Sequence, residues 1–80
     1  MSDPDLRKAI LARVSGLRAG TTCCPSEVAR DLARDWRPLM GPIRAEALGL
    51  QTEGLVRITQ GGQPVAGPDL RGPIRLGRSV

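Results

Sequence analysis

Cys23 and Cys24 are the side chains of this sequence that most resemble a chemical site, and their spacing argues against one. Zinc sites draw four ligands from spaced pairs of Cys and His, whereas these two thiols are adjacent and the chain contains no His. Neighbouring cysteines also fit disulfide geometry poorly, and cytosolic thiols stay reduced. We therefore expect no bound metal and predict that Cys23 is a small core residue. Cys24, at the start of a helix, is a redox candidate that no partner residue supports.

The rest of the residue inventory excludes most catalytic chemistry. The chain has no His, Tyr or Phe and a single Trp, so it lacks most general bases, metal ligands and base-stacking platforms. Gly61-Gly62 lacks the Lys-Ser/Thr of a P-loop and the G-x-G-x-x-G spacing of a dinucleotide loop, and it predicts a turn instead. Eighty residues also leave little room for a substrate cleft. We predict a domain that is not an enzyme and binds no cofactor.

The charged residues point to a different class of function. Twelve basic residues, eleven of them Arg, outnumber eight acidic residues and give a net charge of +4. The excess lies at the C-terminal end, where residues 54–80 contain four arginines and one acid. A basic patch of this kind attracts polyanions such as nucleic acid. It is also compatible with an ordinary domain from an Arg-rich proteome.

Three helices are predicted from apolar spacing and from proline and glycine positions. In the first, apolar residues recur at steps of three and four after Asp3-Pro4, which supplies an N-cap and a first helical residue. Pro25 begins the second in the same way. The third starts at Leu39 or at Pro42, and the later start is preferred because proline is tolerated only in the first turn. The predicted helices span about residues 4–19, 25–35 and 42–53.

Short strands are predicted between and after these helices. Thr21 to Cys23 is β-prone and is closed by a proline. Two C-terminal segments alternate apolar and polar residues, with Val56 and Ile58 in one and Ile74 and Leu76 in the other. The predicted strands span about residues 21–23, 55–60 and 73–77. This element order is that of a winged helix: one α+β domain over residues 1–80, with a three-helix bundle, a small antiparallel sheet and a C-terminal β wing.

Four stretches of the chain also resemble a known family. They are Cys24 to Arg30, Trp36-Arg37, Ile58 through Val65, and Arg71 to Leu76. In this order they resemble domain-of-unknown-function family 3253, a group of small bacterial proteins that look like winged helices and have no assigned activity. The resemblance covers about residues 5–76 and implies a fold, with DNA binding only by analogy of fold. Some relatives carry an added Cys-rich segment that this chain lacks, so no zinc site is implied here.

In a winged helix that reads duplex DNA, the third helix enters the major groove. Arg44 and Gln51, with Thr52 beside them, are its candidate base-reading residues, because Arg pairs with guanine and Gln with adenine. Glu46 and Glu53 offset the charge of this helix and weaken the prediction.

The basic C-terminal end supplies the candidate phosphate contacts. If the last strand pairs beside residues 56–59, Arg57 and Arg75 lie on the outward face of the sheet, with Arg71 at the wing and Arg78 just past the strand. Four phosphate contacts predict a slope of log affinity against log salt near −3.6, at about 0.9 per phosphate.

Trp36 and the apolar surface of helix three leave an alternative function open. Trp36 is either a base-stacking or interface anchor or, as we prefer, a large core residue between helices two and three. The Leu39-Met40 and Leu48 surface would suit a homodimer or another protein partner without DNA binding.

The sequence also indicates in which cellular compartment to expect the protein. No apolar run approaches the ~20 residues of a membrane span, and Met1 to Asp5 does not resemble a signal peptide. We therefore expect a cytoplasmic protein with no membrane partner.

Overall fold

The computed structural model describes residues 4–65 and 72–79. This part of the chain forms three α-helices and a four-stranded antiparallel sheet, so the α+β, winged-helix-like fold predicted from the sequence is confirmed. The helices are α1 (Pro4–Ser15), α2 (Pro25–Leu32) and α3 (Met40–Thr52), and a 3₁₀ turn (Arg37–Leu39) precedes α3. The strands are β1 (Thr22–Cys23), β2 (Val56–Gln60), β3 (Gln63–Pro64) and β4 (Arg75–Arg78).

The helices are shorter than the periodicity predicts, for local reasons. The first ends at Ser15 instead of residue 19, because Gly16 follows at once and Leu17 N–H closes a turn on Val14 O at 3.1 Å. The second ends at Leu32 instead of residue 35, because Ala33 adopts an extended conformation. The predicted N-cap of the first helix, Asp3, and the other predictions that fall on residues 1–3 and 66–71 lie outside the described residues.

The third helix starts earlier than predicted. It begins at Met40, directly after the 3₁₀ turn, and includes Pro42 as its third residue. The first turn of a helix leaves its N–H groups without intrahelical partners, so a proline there removes no hydrogen bond. The apolar face of α3 is nevertheless as the spacing predicts, with Ile43, Ala47 and Leu50 buried.

The sheet has the strand order β1-β4-β2-β3. The central pair is β2 with β4, in which Ile58 lies opposite Leu76, and β1 adds to the other edge of β4 with Cys23 opposite Leu76. The turn after β2 is the predicted Gly61-Gly62, where both residues have positive φ, as a type I′ hairpin requires. It leads into β3, a two-residue edge strand ending in proline that was not predicted because it shows no alternation.

The core lies between the helices and the inner side of the sheet. Leu6, Ile10 and Val14 form the buried stripe of α1 at the spacing of one helix face. The largest fully buried side chains come from every layer of the fold, namely Ile10, Val28, Ile43, Leu50, Ile58, Ile74 and Leu76. Cys23, which is 2 % exposed, belongs to the same cluster, as the sequence predicts.

Candidate nucleic-acid interface

Alternation along β2 and β4 gives the sheet one apolar side and one basic side. Val56 and Ile58 are buried against the helices, and Arg57 between them is exposed. On the neighbouring strand Leu76 is buried and Arg75 is exposed. Successive side chains of a strand point to opposite faces, so Arg57 and Arg75 project away from α3.

Gly77 lies in the middle of this basic side of the sheet. In the register of the sheet it lies between Thr22 of β1 and Arg57 of β2. A Cβ atom at Gly77 would lie 3.2 Å from Cγ2 of Thr22 and 3.4 Å from O of Thr21. The missing side chain therefore lets β1 approach closely and leaves the middle of the outer face open.

The result is a concavity with a volume of about 390 Å³ on the outer face of the sheet. We call it the sheet concavity. Its lining consists of three arginines, three threonines and three glycines: Arg57, Arg75, Arg78, Thr21, Thr22, Thr59, Gly20, Gly62 and Gly77. No acidic side chain is present among the described residues that line it. Donors without a competing carboxylate are the chemistry that an oxyanion requires.

Arg75 is the most firmly held of the three arginines. Its Nε donates to Thr22 Oγ1 at 3.0 Å and its Nη2 to Thr22 O at 3.1 Å. Its Nη1 donates to Cys24 Sγ at 2.8 Å. These contacts join β4 to β1 and to the start of α2, so Arg75 orders the edge of the concavity as well as charging it.

Arg57 and Arg78 are held more loosely. Arg57 Nη2 donates to Ser79 O and Arg78 Nη1 to Leu17 O, both at 3.4 Å. Bonds of this length are weak, so an anion can compete for these donors. The fourth predicted phosphate contact, Arg71, lies outside the described residues.

The two candidate base-reading residues of α3 lie together at a different place, where α3 meets the segments that flank the wing. Arg44 Nη1 donates to Gly72 O at 3.0 Å, and Gln51 Nε2 donates to Val65 O at 2.8 Å. Thr52 Oγ1 donates to Leu48 O within the helix. Each of the three side chains thus has an intramolecular partner. The first two hold Val65 and Gly72, which we call the base of the wing, against α3.

The exposed face of α3 carries little that reads bases. Gly41, Ala45 and Gly49 lie on it at intervals of four residues, and none has a side chain that donates a hydrogen bond. This face allows close approach of a partner without supplying sequence readout.

Glu46 and Glu53, the two acids that offset the charge of the third helix in the sequence analysis, are buried or paired in the structure. Glu46 is only 8 % exposed. Glu53 accepts two hydrogen bonds of 2.7 Å from the Arg7 guanidinium, and this bond holds the pKa of the Glu53 carboxyl below its usual range. The negative charge that weakened the case for α3 is therefore buried or paired.

Trp36 has a second role besides filling space. It is half-buried and packs against the core, as a residue between helices two and three should. The guanidinium carbons of Arg30 and Arg37 also lie 4.8 and 4.9 Å from the centroid of its ring. We call these three residues the indole cluster. The arginine partners were not predicted, although two arginines flanking a lone tryptophan are visible in the sequence.

The predicted protein-binding surface is partly covered. Leu39, Met40 and Leu48 are half-buried and pack against the core. In the part of the chain that the structure describes, the exposed large apolar side chains are instead Leu32, at 38 %, and Leu55, at 42 %.

Other types of site find no support in the described residues. Between residues 4 and 65 and between 72 and 79, no three His, Cys, Asp or Glu side chains converge as metal ligands. In the same ranges no helix has the length and apolar character needed to cross a membrane. Cys23 and Cys24 are both free thiols, and burial, more than the nearby Glu27 charge, raises the pKa of Cys23.

Comparison with known families identifies one match, to a protein family of unknown function, DUF3253, over residues 3–79. The match spans nearly the whole chain. The chain belongs to DUF3253. Comparison with curated proteins gave no match. Membership of DUF3253 assigns no activity, so function has to be argued from the surfaces described above.

Proposed function

We propose that this domain binds duplex DNA through the phosphate backbone, with Arg57, Arg75 and Arg78 as contacts. Arg71, which the sequence analysis placed at the wing, is proposed as a fourth contact. The observation that carries the proposal is the sheet concavity, an open surface with three arginines and no acid among its described lining residues. Clustered basic side chains on one face are the electrostatic signature of nucleic-acid binding.

The spacing of the arginines favours an extended polyanion over a single small anion. Arg57 lies opposite Gly77, two residues from Arg75, so the two arginines are diagonal neighbours about 7–8 Å apart at their backbones. Each strand of duplex DNA presents a charge about every 3.4 Å along its axis. Each guanidinium can therefore meet a phosphate of its own.

The proposed binding is weakly selective for sequence. Arg44 and Gln51, proposed earlier as base readers, already donate to wing carbonyls. Phosphate contacts position a protein on DNA but carry no sequence information directly. We expect dissociation constants in the range of ~10⁻⁴–10⁻⁶ M that is typical of non-specific complexes.

A salt titration with a random-sequence duplex tests the proposal. Arg57→Gln should lower the magnitude of the log–log salt slope by about 0.9, and Arg57→Gln with Arg78→Gln by about 1.8. Lys8→Gln is the matched control, because Lys8 is an exposed cation on α1 outside the concavity, and it should leave the slope nearly unchanged.

The outcome that would contradict the proposal is an absence of binding by the wild type at ~50 mM salt, where phosphate contacts are strong. The alternative function, a protein-interaction or oligomerisation module, would then take precedence. Its first test is the molecular mass in solution.

A further inference from the structure

The indole cluster places two arginines against one ring near the end of α2. The guanidinium carbons of Arg30 and Arg37 each lie within 5 Å of the centroid of the Trp36 ring, so both arginines contact the same aromatic side chain. Stacking on an aromatic ring uses the flat face of a guanidinium and leaves its N–H edges directed outward. The arrangement orients the donors before any ligand binds, which lowers the entropy lost on binding.

These donors have no acceptor within residues 4–65 and 72–79. Arg30 and Arg37 are both exposed, and within the described residues neither guanidinium has an ion pair or a hydrogen-bond partner. All three nitrogens of Arg75, in contrast, already donate to β1 and Cys24. The indole cluster therefore offers more free donors per arginine than the sheet concavity.

The charge around the cluster favours an anion. Asp31, one residue after Arg30, lies 3.3 Å from Nε of Arg13 and is paired with it. Residues 30–37 contain three arginines and two aspartates, so the segment keeps a positive charge.

The cluster is separate from the sheet concavity and close to α3. Arg75 reaches Cys24 at the first end of α2, whereas Arg30 lies in the last turn and Arg37 begins the 3₁₀ turn before α3. Arg30 follows Cys24 by six residues, a rise of about 9 Å along the helix. Further along the chain, Gly41, Ala45 and Gly49 form the exposed face of α3, and their small size lets a duplex approach this face closely.

We infer that Arg30 and Arg37, held on the Trp36 ring, form a second phosphate-binding surface for duplex DNA, distinct from the sheet concavity. The inference rests on the proposed function, because it assigns a further part of the molecule to the same ligand. Trp36 orients the two arginines and makes no contact with a base, since its ring is occupied by guanidinium groups.

The single tryptophan of the chain makes the inference measurable. Titration of the protein with a random-sequence duplex should change the intensity of Trp36 emission. Phosphate contacts move the two guanidinium groups relative to the indole ring, and this alters the surroundings of the ring. The change should reverse on addition of salt in parallel with dissociation.

Variants separate this surface from the sheet. Arg30→Gln with Arg37→Gln should lower the magnitude of the salt slope by about 1.8, at about 0.9 per contact. Lys8→Gln with Arg18→Gln removes the same charge from exposed positions outside both surfaces. This control should lower the magnitude of the salt slope far less. Arg30→Lys with Arg37→Lys keeps the charge and should keep most of the slope, which shows that any loss in the Gln variant comes from phosphate contacts and not from misfolding.

Two results would overturn the inference, and they are distinguishable. If the wild type binds with the expected salt dependence while Trp36 emission stays constant and the Gln variant matches its control, DNA binding rests on the sheet alone. If no binding occurs at all, the proposed function fails and this inference fails with it. A change in Trp36 emission in the wild type, together with a reduced slope only in the Gln variant, supports both.

Discussion

The sheet concavity and the indole cluster both expose arginines, but the fold orients them by different means. In the sheet, strand alternation places Arg57 and Arg75 on the outer face, and hydrogen bonds to oxygen and sulfur acceptors fix the latter. In the cluster, an aromatic ring holds Arg30 and Arg37 by stacking. Arg57 can thus be removed with little effect on the fold, whereas Arg75 joins β4 to β1 and to Cys24, and Trp36, which orders the cluster, is itself packed against the core. The comparison predicts which substitutions change binding and which change folding.

The largest expected effect is on the indole cluster. Trp36→Ala removes a large side chain that packs against the core and both of its guanidinium contacts. We expect a loss of about 3 kcal/mol in the free energy of unfolding, at the lower end of Trp→Ala substitutions because the ring is half-buried. Thermal unfolding measures it, at about 4–8 °C in Tm per kcal/mol for a domain of this size.

Trp36→Phe is the matched control for that change. It keeps an aromatic face for the two arginines and most of the apolar contact, so its Tm should fall much less. A Trp36→Ala protein that melts within a few degrees of the wild type would mean that the ring does not support the core.

The next effect distinguishes two arginines of the same surface. Arg75→Ala removes three hydrogen bonds that join β4 to β1 and α2, and we expect it to cost about 1–2 kcal/mol. Arg57→Ala removes only a bond of 3.4 Å and should change stability by less than about 0.5 kcal/mol. Urea unfolding measures both.

In DNA binding the same two variants should behave alike, because each loses one phosphate contact. Equal stability of the two proteins would show that the hydrogen bonds of Arg75 contribute nothing to the fold.

A smaller effect concerns pH. Arg7 lowers the pKa of Glu53 below its ordinary value of 4.5, so the ion pair stabilises the folded state at pH values above that ordinary value. The contribution is lost as the pH falls through the lowered pKa of the folded state. Urea midpoints of the wild type and Glu53→Gln should therefore differ at neutral pH and converge in acid.

DNA affinity should not follow this titration, since neither Arg7 nor Glu53 lies in the sheet concavity or in the indole cluster. A gap between wild type and Glu53→Gln that persists unchanged in strong acid would exclude the ion pair as its cause.

The smallest effect concerns the cysteines, and it is expected in reactivity only. Cys23 is buried and its pKa is raised by that burial, whereas Cys24 is half-buried at the start of α2. A thiol reagent should modify one cysteine per native chain and both after denaturation, because burial limits access as well as thiolate formation. Cys24→Ser should abolish the native reaction, and rapid labelling of that variant would contradict the assignment.

Much of the fold was predictable because local spacing reports which face of an element is buried. The stripes of α1 and α3 and the alternation of β2 and β4 are short-range patterns that follow directly from 3.6-residue and two-residue periods. The ends of α1 and α2 were less predictable. The first ends before Gly16 and the second before Ala33, which is extended, and apolar spacing does not mark either position.

Part of the candidate site was predictable, namely its residue types and the outward placement of Arg57 and Arg75, which follows from alternation. The binding roles of these residues remain predictions. The contact between Arg75 and Thr22 joins residues 53 positions apart. No spacing rule connects such residues, because sheet register sets their proximity. The burial of Glu46, which the sequence analysis counted against the positive charge of the third helix, is a similar case.

By itself, the sequence determined the number and order of the main elements, the apolar faces that form the core and the surplus of arginine at the C-terminal end. Those properties reside in neighbouring residues and in composition. Only the tertiary structure decided that Gly77 opens a concavity between Thr22 and Arg57, that Arg44 and Gln51 hold the base of the wing, and that two arginines meet on one indole ring. The first two arise where distant segments pack together, and the third where the turn after α2 brings Trp36 against Arg30, so none of them follows from the spacing of residues alone.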